Sequence, residues 1–334
     1  MKRLLSLVAI TSLWVSGVSI GSAQDRKNPD LARDPVGYWA EQLVSKDAKV
    51  RATAVAALAE LGRRAGPAVS ALIDVLENDP NKTTRRSAVI TLGRIGPGAK
   101  PAVPALIKVL EQGDYHIQSA AARSLGEIGP DAKAAVPALT RALDSKITSV
   151  TYNAAHALGA IGPGAKEAEA ALLTHMSSVT PYIRATAAEA LWRIDRHPDA
   201  IPALIRHLQD PKTTDRGEAA ETLGRLGPDA KAAVPALVAA LKDRQNLTAV
   251  QAAEALWYVA KHETAIPTLV ATLKDPNITI SSHAAMRLGR IGPHAKVAVP
   301  ALLAVAGNGP YLGPSAVDAL KQIDPDVARK AGFK

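Results

Sequence analysis

The sequence predicts an all-α fold, a right-handed α-solenoid of stacked antiparallel helix pairs, and three observations carry that prediction. A motif of Leu-Gly, Ile-Gly-Pro and Ala-Val-Pro-Ala-Leu recurs along the chain. Aligning the leucine of the first helix in each unit gives Leu58, Leu92, Leu125, Leu158, Leu191, Leu223, Leu256, Leu288 and Leu320, at intervals of 32 to 34 residues. Periods of this length belong to arrays of stacked repeats. Aromatic residues make up only 3% of the 334, so the interior must be built from Ala, Leu, Val and Ile. A helix pair with so small an interior buries its apolar face on the next pair.

The elements follow in order. Met1-Lys2-Arg3 precedes an uncharged, largely apolar run over residues 4–23 that ends Gly21-Ser22-Ala23. A basic start, an apolar centre and small residues at the end match an export signal cleaved after Ala23. An uncleaved anchor is the alternative, because the run approaches the ~20 residues that span a bilayer. Residues 24–35 read as a polar linker and residues 36–334 as one solenoid domain. Residues 36–45 resemble a lone second helix that caps the array, with Trp39 as its anchor.

Each first helix is amphipathic and rich in small residues, as in Ile183, Ala187 and Leu191, four apart on one face. Several begin Asp-Pro, at Asp79-Pro80, Asp210-Pro211 and Asp275-Pro276, which suits an aspartate cap followed by proline at the first helical position. They stop at the glycine of Gly96-Pro97, Gly129-Pro130, Gly162-Pro163, Gly227-Pro228 and Gly292-Pro293, since glycine accepts a positive φ. Glu189–Arg193 and Glu221–Arg225 sit four apart, as exposed helix pairs do. The second helix carries Pro-Ala-Leu near its start. Eight pairs and a closing helix over 314–323 account for the chain.

At these residues the chain resembles the HEAT repeat, in the bacterial form similar to phycobilisome-lyase repeats, over roughly residues 36–325. The resemblance implies a superhelix with second helices along its concave side, ~80 Å long at ~10 Å per stacked pair. It implies scaffolding and binding more than any one reaction. Similar enzymes that hydroxylate deoxyhypusine hold two irons with several His-Glu pairs, whereas this chain has one, His262-Glu263. Phycobilin lyases and alkylation-repair glycosylases share the repeat type, and an export signal suits neither.

Composition narrows the rest. With no cysteine, disulfides, thiolate metal sites and thiol catalysis are excluded. The formal charge of +9 falls to +7 without Lys2 and Arg3. In an exported chain such a balance suits acidic protein surfaces or an anionic envelope polymer better than nucleic acid. No phosphate loop, zinc-protease helix or nucleophile elbow occurs, so no catalytic residue, metal site or cofactor is expected.

Three sets of residues stand out as binding candidates. One second-helix column is charged at its N-terminal end, with Lys108, Arg141 and Arg206, and bare beyond, with Ala239, Ala271 and Ala304. His175 and His207 lie beside it in adjacent repeats, read as groove histidines and not as a metal pair. Lys100, Lys133, Lys166, Lys231 and Lys296 recur in Gly-Pro-x-Ala-Lys and would form a basic ridge, or simply a solvated edge. Trp192 and Trp257 replace the glycine after leucine and could form an aromatic patch, or fill space beside two shortened turns.

The function these readings support is a non-catalytic, protein-binding scaffold outside the cytoplasm, periplasmic or secreted, with its partner on the concave face and no stable membrane insertion after cleavage. The alternatives are an enzyme or enzyme accessory of the HEAT-like lyase or hydroxylase type, and an envelope protein that binds anionic polysaccharide through the ridge.

Overall fold

A helix of small residues can lie very close to its neighbour, and the repeats are built on that closeness. The computed structural model describes residues 34–212, 216–243 and 246–333. The expected export segment 1–23 and the linker up to residue 33 lie outside the described residues. Those described are helical with no strand, and they divide into two compact units. One comprises 34–175 with 193–196, the other 176–192 with 197–333.

Unit 1 opens with α1 (Pro35–Gln42), where Asp34 accepts the Gly37 N–H at 3.0 Å. Trp39 is buried there, edge-on to Tyr38, as the capping role requires. Four helix pairs follow: α2 (Ala48–Leu61) with α3 (Val69–Asn78), α4 (Lys82–Ile95) with α5 (Val103–Gln112), α6 (Tyr115–Ile128) with α7 (Val136–Ala142), and α8 (Thr148–Ile161) with α9 (Glu169–His175). The first helices α2, α4, α6 and α8 stack in series. Leu58, Leu92, Leu125 and Leu158 are fully buried between them, and Leu72, Leu106, Leu139 and Leu172 fill the second-helix side. Each such leucine contributes about 1.5–3 kcal/mol by burial.

Unit 2 begins with α10 (Pro181–Asp195), which it holds up to Trp192, and α11 (Ala200–Gln209). Then come α12 (Gly217–Leu226) with α13 (Val234–Ala240), α14 (Asn246–Ala260) with α15 (Ala265–Thr272), and α16 (Ile278–Ile291) with α17 (Val299–Val305). The unit closes on α18 (Leu312–Ile323) and a short helix that the sequence pattern did not suggest, α19 (Pro325–Lys330), started by Asp324 accepting the Val327 N–H.

The glycine after the aligned leucine is where first helices touch. A Cβ built on Gly126 would lie 3.0 Å from the Ala157 Cα, and one on Gly224 would lie 3.1 Å from the Ala255 Cα. Past each Ile-Gly or Leu-Gly the chain does not break off. It turns at a glycine with φ between +52° and +76°, as at Gly62 and Gly129, and runs through seven residues of 3₁₀ helix into the second helix.

One expectation about helix starts needs correction. Asn81 and Asn277, not Asp79 and Asp275, cap α4 and α16 by accepting the Thr83 and Thr279 N–H groups. The aspartates instead accept the N–H groups of those asparagines and fold the preceding turn. The same turn is clasped from the helix side by a residue six positions on. Arg51 donates to the Ser45 carbonyl at 2.8 Å, Arg85 to Asp79 at 2.6 Å and Thr151 to Ser145 at 3.1 Å. In unit 2, Arg184 donates to Ser178 and Arg216 to Asp210.

Candidate functional site

The charged second-helix column is set on the exposed side of its helices. Lys108 on α5 and Arg206 on α11 are exposed. Arg141 on α7 is exposed too, and its guanidinium is bonded to Glu111 of the preceding second helix. The two histidines fall in different units. His175 is part-buried, its Nδ1 2.9 Å from the Ala171 carbonyl and its Nε2 2.9 Å from the Leu143 carbonyl. Both ring nitrogens are therefore turned onto the backbone of its own and the preceding repeat. His207 is buried in α11. Among the described residues no group of three His, Asp or Glu side chains is arranged to hold a metal ion. The His262 ring meets the Thr264 hydroxyl at 2.9 Å at the start of α15.

The lysine ridge is largely engaged from repeat to repeat. Lys100 pairs with Asp131 at 3.0 Å and Lys166 with Asp195 at 3.3 Å, while Lys296 pairs with Asp324 at 3.7 Å. Lys133 lays its stem along Gly164, and Lys231 is exposed. Exposed pairs of this kind contribute about 0–1 kcal/mol each.

Lys108 faces something more concave. Between α3, α4, α5 and α6 a groove of about 520 Å³ opens to solvent, within the ~300–1,000 Å³ typical of ligand sites. Its walls carry Lys82, Arg85, Arg86, Lys108 and His116. Its carboxylates are Glu77 and Asp114, and the latter is turned onto the N–H groups of His116 and Ile117 to cap α6. Leu76 and Ala105 are buried beneath, with Val109 and Ile117 half-buried beside them. Gly113 makes the tight α5–α6 corner, where a Cβ would meet the Val109 carbonyl at 2.6 Å. A second groove, of about 340 Å³, opens one repeat along and includes Glu111, Gln118 and Arg141.

A family model of HEAT repeats matches residues 38–112, 69–159, 103–191, 169–257 and 234–323. The chain belongs to the HEAT-repeat family. The comparison with curated proteins found no match. Among solved structures, the chain is 26% identical to the complex of CpcE and CpcF of phycocyanin lyase from Nostoc sp. PCC7120, over 70% of this chain and 92% of that one, with a TM-score of 0.49. An engineered protein is 24% identical over 91% of this chain and 92% of its own, with a TM-score of 0.45. Human deoxyhypusine hydroxylase in complex with glycerol is 21% identical over 87% and 96%, with a TM-score of 0.34.

The HEAT repeats of unit 2 hold an ionic lattice that second-helix columns do not reveal. Glu189 of α10, Glu221 of α12 and Glu254 of α14 occupy the position two before the aligned leucine in three successive first helices. That column is the sequence signal for the lattice. Arg225 bonds Glu189 at 2.9 Å across the repeats and lies 3.6 Å from Glu218 and 3.7 Å from Glu221. Arg287 of α16 bonds Glu221 at 3.0 Å and Glu254 more closely still. Glu189 is buried, not exposed as its spacing to Arg193 suggests. Burial pushes the Glu254 carboxyl above the usual carboxylate range despite Arg287 and Arg290. Burial also acts on Glu221, but Arg287, Gln251 and Arg225 together hold it below that range.

The two tryptophans pack where their HEAT repeats lack glycine. Trp192 is half-buried with its indole N–H 3.4 Å from Asp229, and Trp257 lies against His294 at 5.4 Å between ring centroids. Lys261 covers Trp257 at 4.5 Å. Both repeats omit the 3₁₀ segment and turn at a non-glycine residue with positive φ, Arg196 at 61° and Lys261 at 50°.

Proposed function

We propose that this HEAT-repeat chain is an exported, non-catalytic scaffold that holds a protein partner on its second-helix face. The observation that carries the reading is the contrast between two cationic sets. The recurrent turn lysines are mostly engaged by aspartates of the next repeat. Lys108 and Arg206 instead stand exposed on second helices with no such aspartate, while Arg141, also exposed, is shared with Glu111 of the preceding second helix. Lys108 and Arg206 are thereby the cations of this column that remain available to a partner. The basic, apolar and small-residue order of residues 1–23 supports action outside the cytoplasm.

The test is affinity purification of the tagged chain from the envelope fraction of its host, beside a variant carrying Lys108→Glu, Arg141→Glu and Arg206→Glu. A stoichiometric protein partner lost in the variant is expected. A partner retained equally by the variant overturns the face, and a bound chromophore or metal in the purified chain overturns the non-catalytic reading. Amino-terminal sequencing of the same sample should begin at Gln24.

A further inference from the structure

We infer that the groove between α3, α4, α5 and α6 is a binding site for an acidic peptide segment, one that seats an apolar side chain among carboxylates. This deepens the scaffold reading and rests on it. Lys82, Arg86 and Lys108 line the groove and form no ion pair among the described residues. Nearby exposed cations of the same unit do: Arg94 pairs with Glu60, Arg123 with Glu127 and Arg141 with Glu111. Of the other two basic side chains in the groove, Arg85 is anchored to the Asp79 carbonyl and His116 sits at the start of α6, beside its Asp114 cap.

The groove carboxylates do not cancel this charge evenly. Asp114 caps α6 through one carboxylate oxygen and stays exposed beside Glu77, so two carboxylates stand against Lys82, Arg85, Arg86 and Lys108 and the lining is net positive. Three unpaired cations around one concavity hold a positive potential that favours a carboxylate-rich ligand. The floor adds the second half of the specificity. Val109 and Ile117, half-buried above Leu76 and Ala105, give a small apolar floor that water covers poorly. A polyphosphate would use the cations and leave that patch wet, whereas a peptide alternating acidic and apolar residues uses both. Gly113 keeps the corner open to this floor, since any larger residue would be driven into Val109 and Ile117.

The probe is a short fluorescein-labelled peptide of alternating glutamate and leucine, titrated into the purified chain by fluorescence polarisation. Its lysine-leucine counterpart and a single-stranded DNA oligonucleotide are the comparison ligands. Saturable binding of the glutamate peptide alone is expected, weakening as salt is raised. Arg86→Glu with Lys108→Glu should weaken it by at least about tenfold, while Lys274→Glu in unit 2 leaves it unchanged. Circular dichroism should show the same helix content in both variants. If the double variant fails to fold, Lys108→Met keeps the helix and removes one charge. Equal binding by the groove variant, equal binding of the lysine peptide, or tighter binding of the DNA each overturns the assignment. Should the native partner be lost with Arg141→Glu and Arg206→Glu while the glutamate peptide ignores Lys108, the scaffold reading stands and the groove alone is wrong.

Discussion

In unit 1 the cations of α4 and α5 stand in solvent around a groove, while in unit 2 the guanidinium groups of Arg225 and Arg287 lie between glutamates of successive first helices. Both arrangements are built on the same repeat with the same buried leucines, although α10 and α14 of the lattice carry Trp192 and Trp257 where α12 and α16 have the contact glycine. A few polar positions therefore decide whether a stretch of the array offers charge outward or ties its own layers together. Outward charge costs little to keep and is open to a ligand. Inward charge rigidifies, because each buried ion depends on the partner opposite.

The sharpest way to break the comparison is to remove one ion from the lattice. Arg287→Ala takes the shared cation from buried Glu254 and part-exposed Glu221, with only Arg290 and Arg225 left beside them, and should cost about 3 kcal/mol. Urea denaturation followed by the fluorescence of Trp192 and Trp257 would report it, and a loss below about 1 kcal/mol would make the lattice a surface feature. The next test asks whether the backbone scaffold really is common to both units. Gly126→Val and Gly224→Val each force a branched side chain into a neighbouring helix, and each should cost about 1–3 kcal/mol. Unequal losses would mean that the two stacks are sealed differently.

Acid sharpens the contrast further. The Arg51 guanidinium, bonded at 2.7 Å, holds the Asp79 carboxyl below the usual carboxylate range. Its contribution is fully present above the unfolded value of about 4 and is lost as pH falls through the lower folded value. Glu221 behaves the same way, but Glu254, raised by burial, gains relative stability on acidification through its own folded value. Acid should therefore act with opposite signs at Asp79 and at Glu254. Chemical denaturation between neutral pH and pH ~3 should show the gap between the native chain and Asp79→Asn closing as pH falls. A gap independent of pH would remove Asp79 from the account.

The smallest effect is at the turn that replaces glycine. Lys261→Gly relieves a positive φ worth about 1 kcal/mol and gives up a cation over Trp257 worth about 0.5–1 kcal/mol. The melting temperature should move by only a few degrees. A large loss would show that the lysine, and not the backbone, holds this corner.

Much of the fold was legible because the repeat states it many times. The eight pairs, the glycine stops, the buried leucines and the Trp39 cap all follow from period and amphipathic spacing. The helix starts were misread at Asp79 and Asp275 because aspartate and asparagine both accept N–H bonds, and only the fold shows which one meets the first turn. The end of the chain was less legible, since Pro325–Lys330 has no second copy against which to align it. Lys108 could be picked out as a charged residue in a column, but the groove it lines could not. That cavity depends on the short α5–α6 corner and on how four helices converge. The lattice was hidden for a different reason: a glutamate spaced four from an arginine suits an exposed pair on one helix, so its bond to the next helix does not show.

The clasp from a helix residue to the carbonyl six positions back lies wholly inside one junction. Wherever it occurs, at Arg51, Arg85, Arg184 or Arg216, the fastening travels with the stretch of sequence it fastens. Duplicating or deleting one whole period would carry a complete joint with it, and the new neighbours would meet through leucine and glycine surfaces already shaped for each other. Such a chain can change its length in steps of about 33 residues without inventing a new connection.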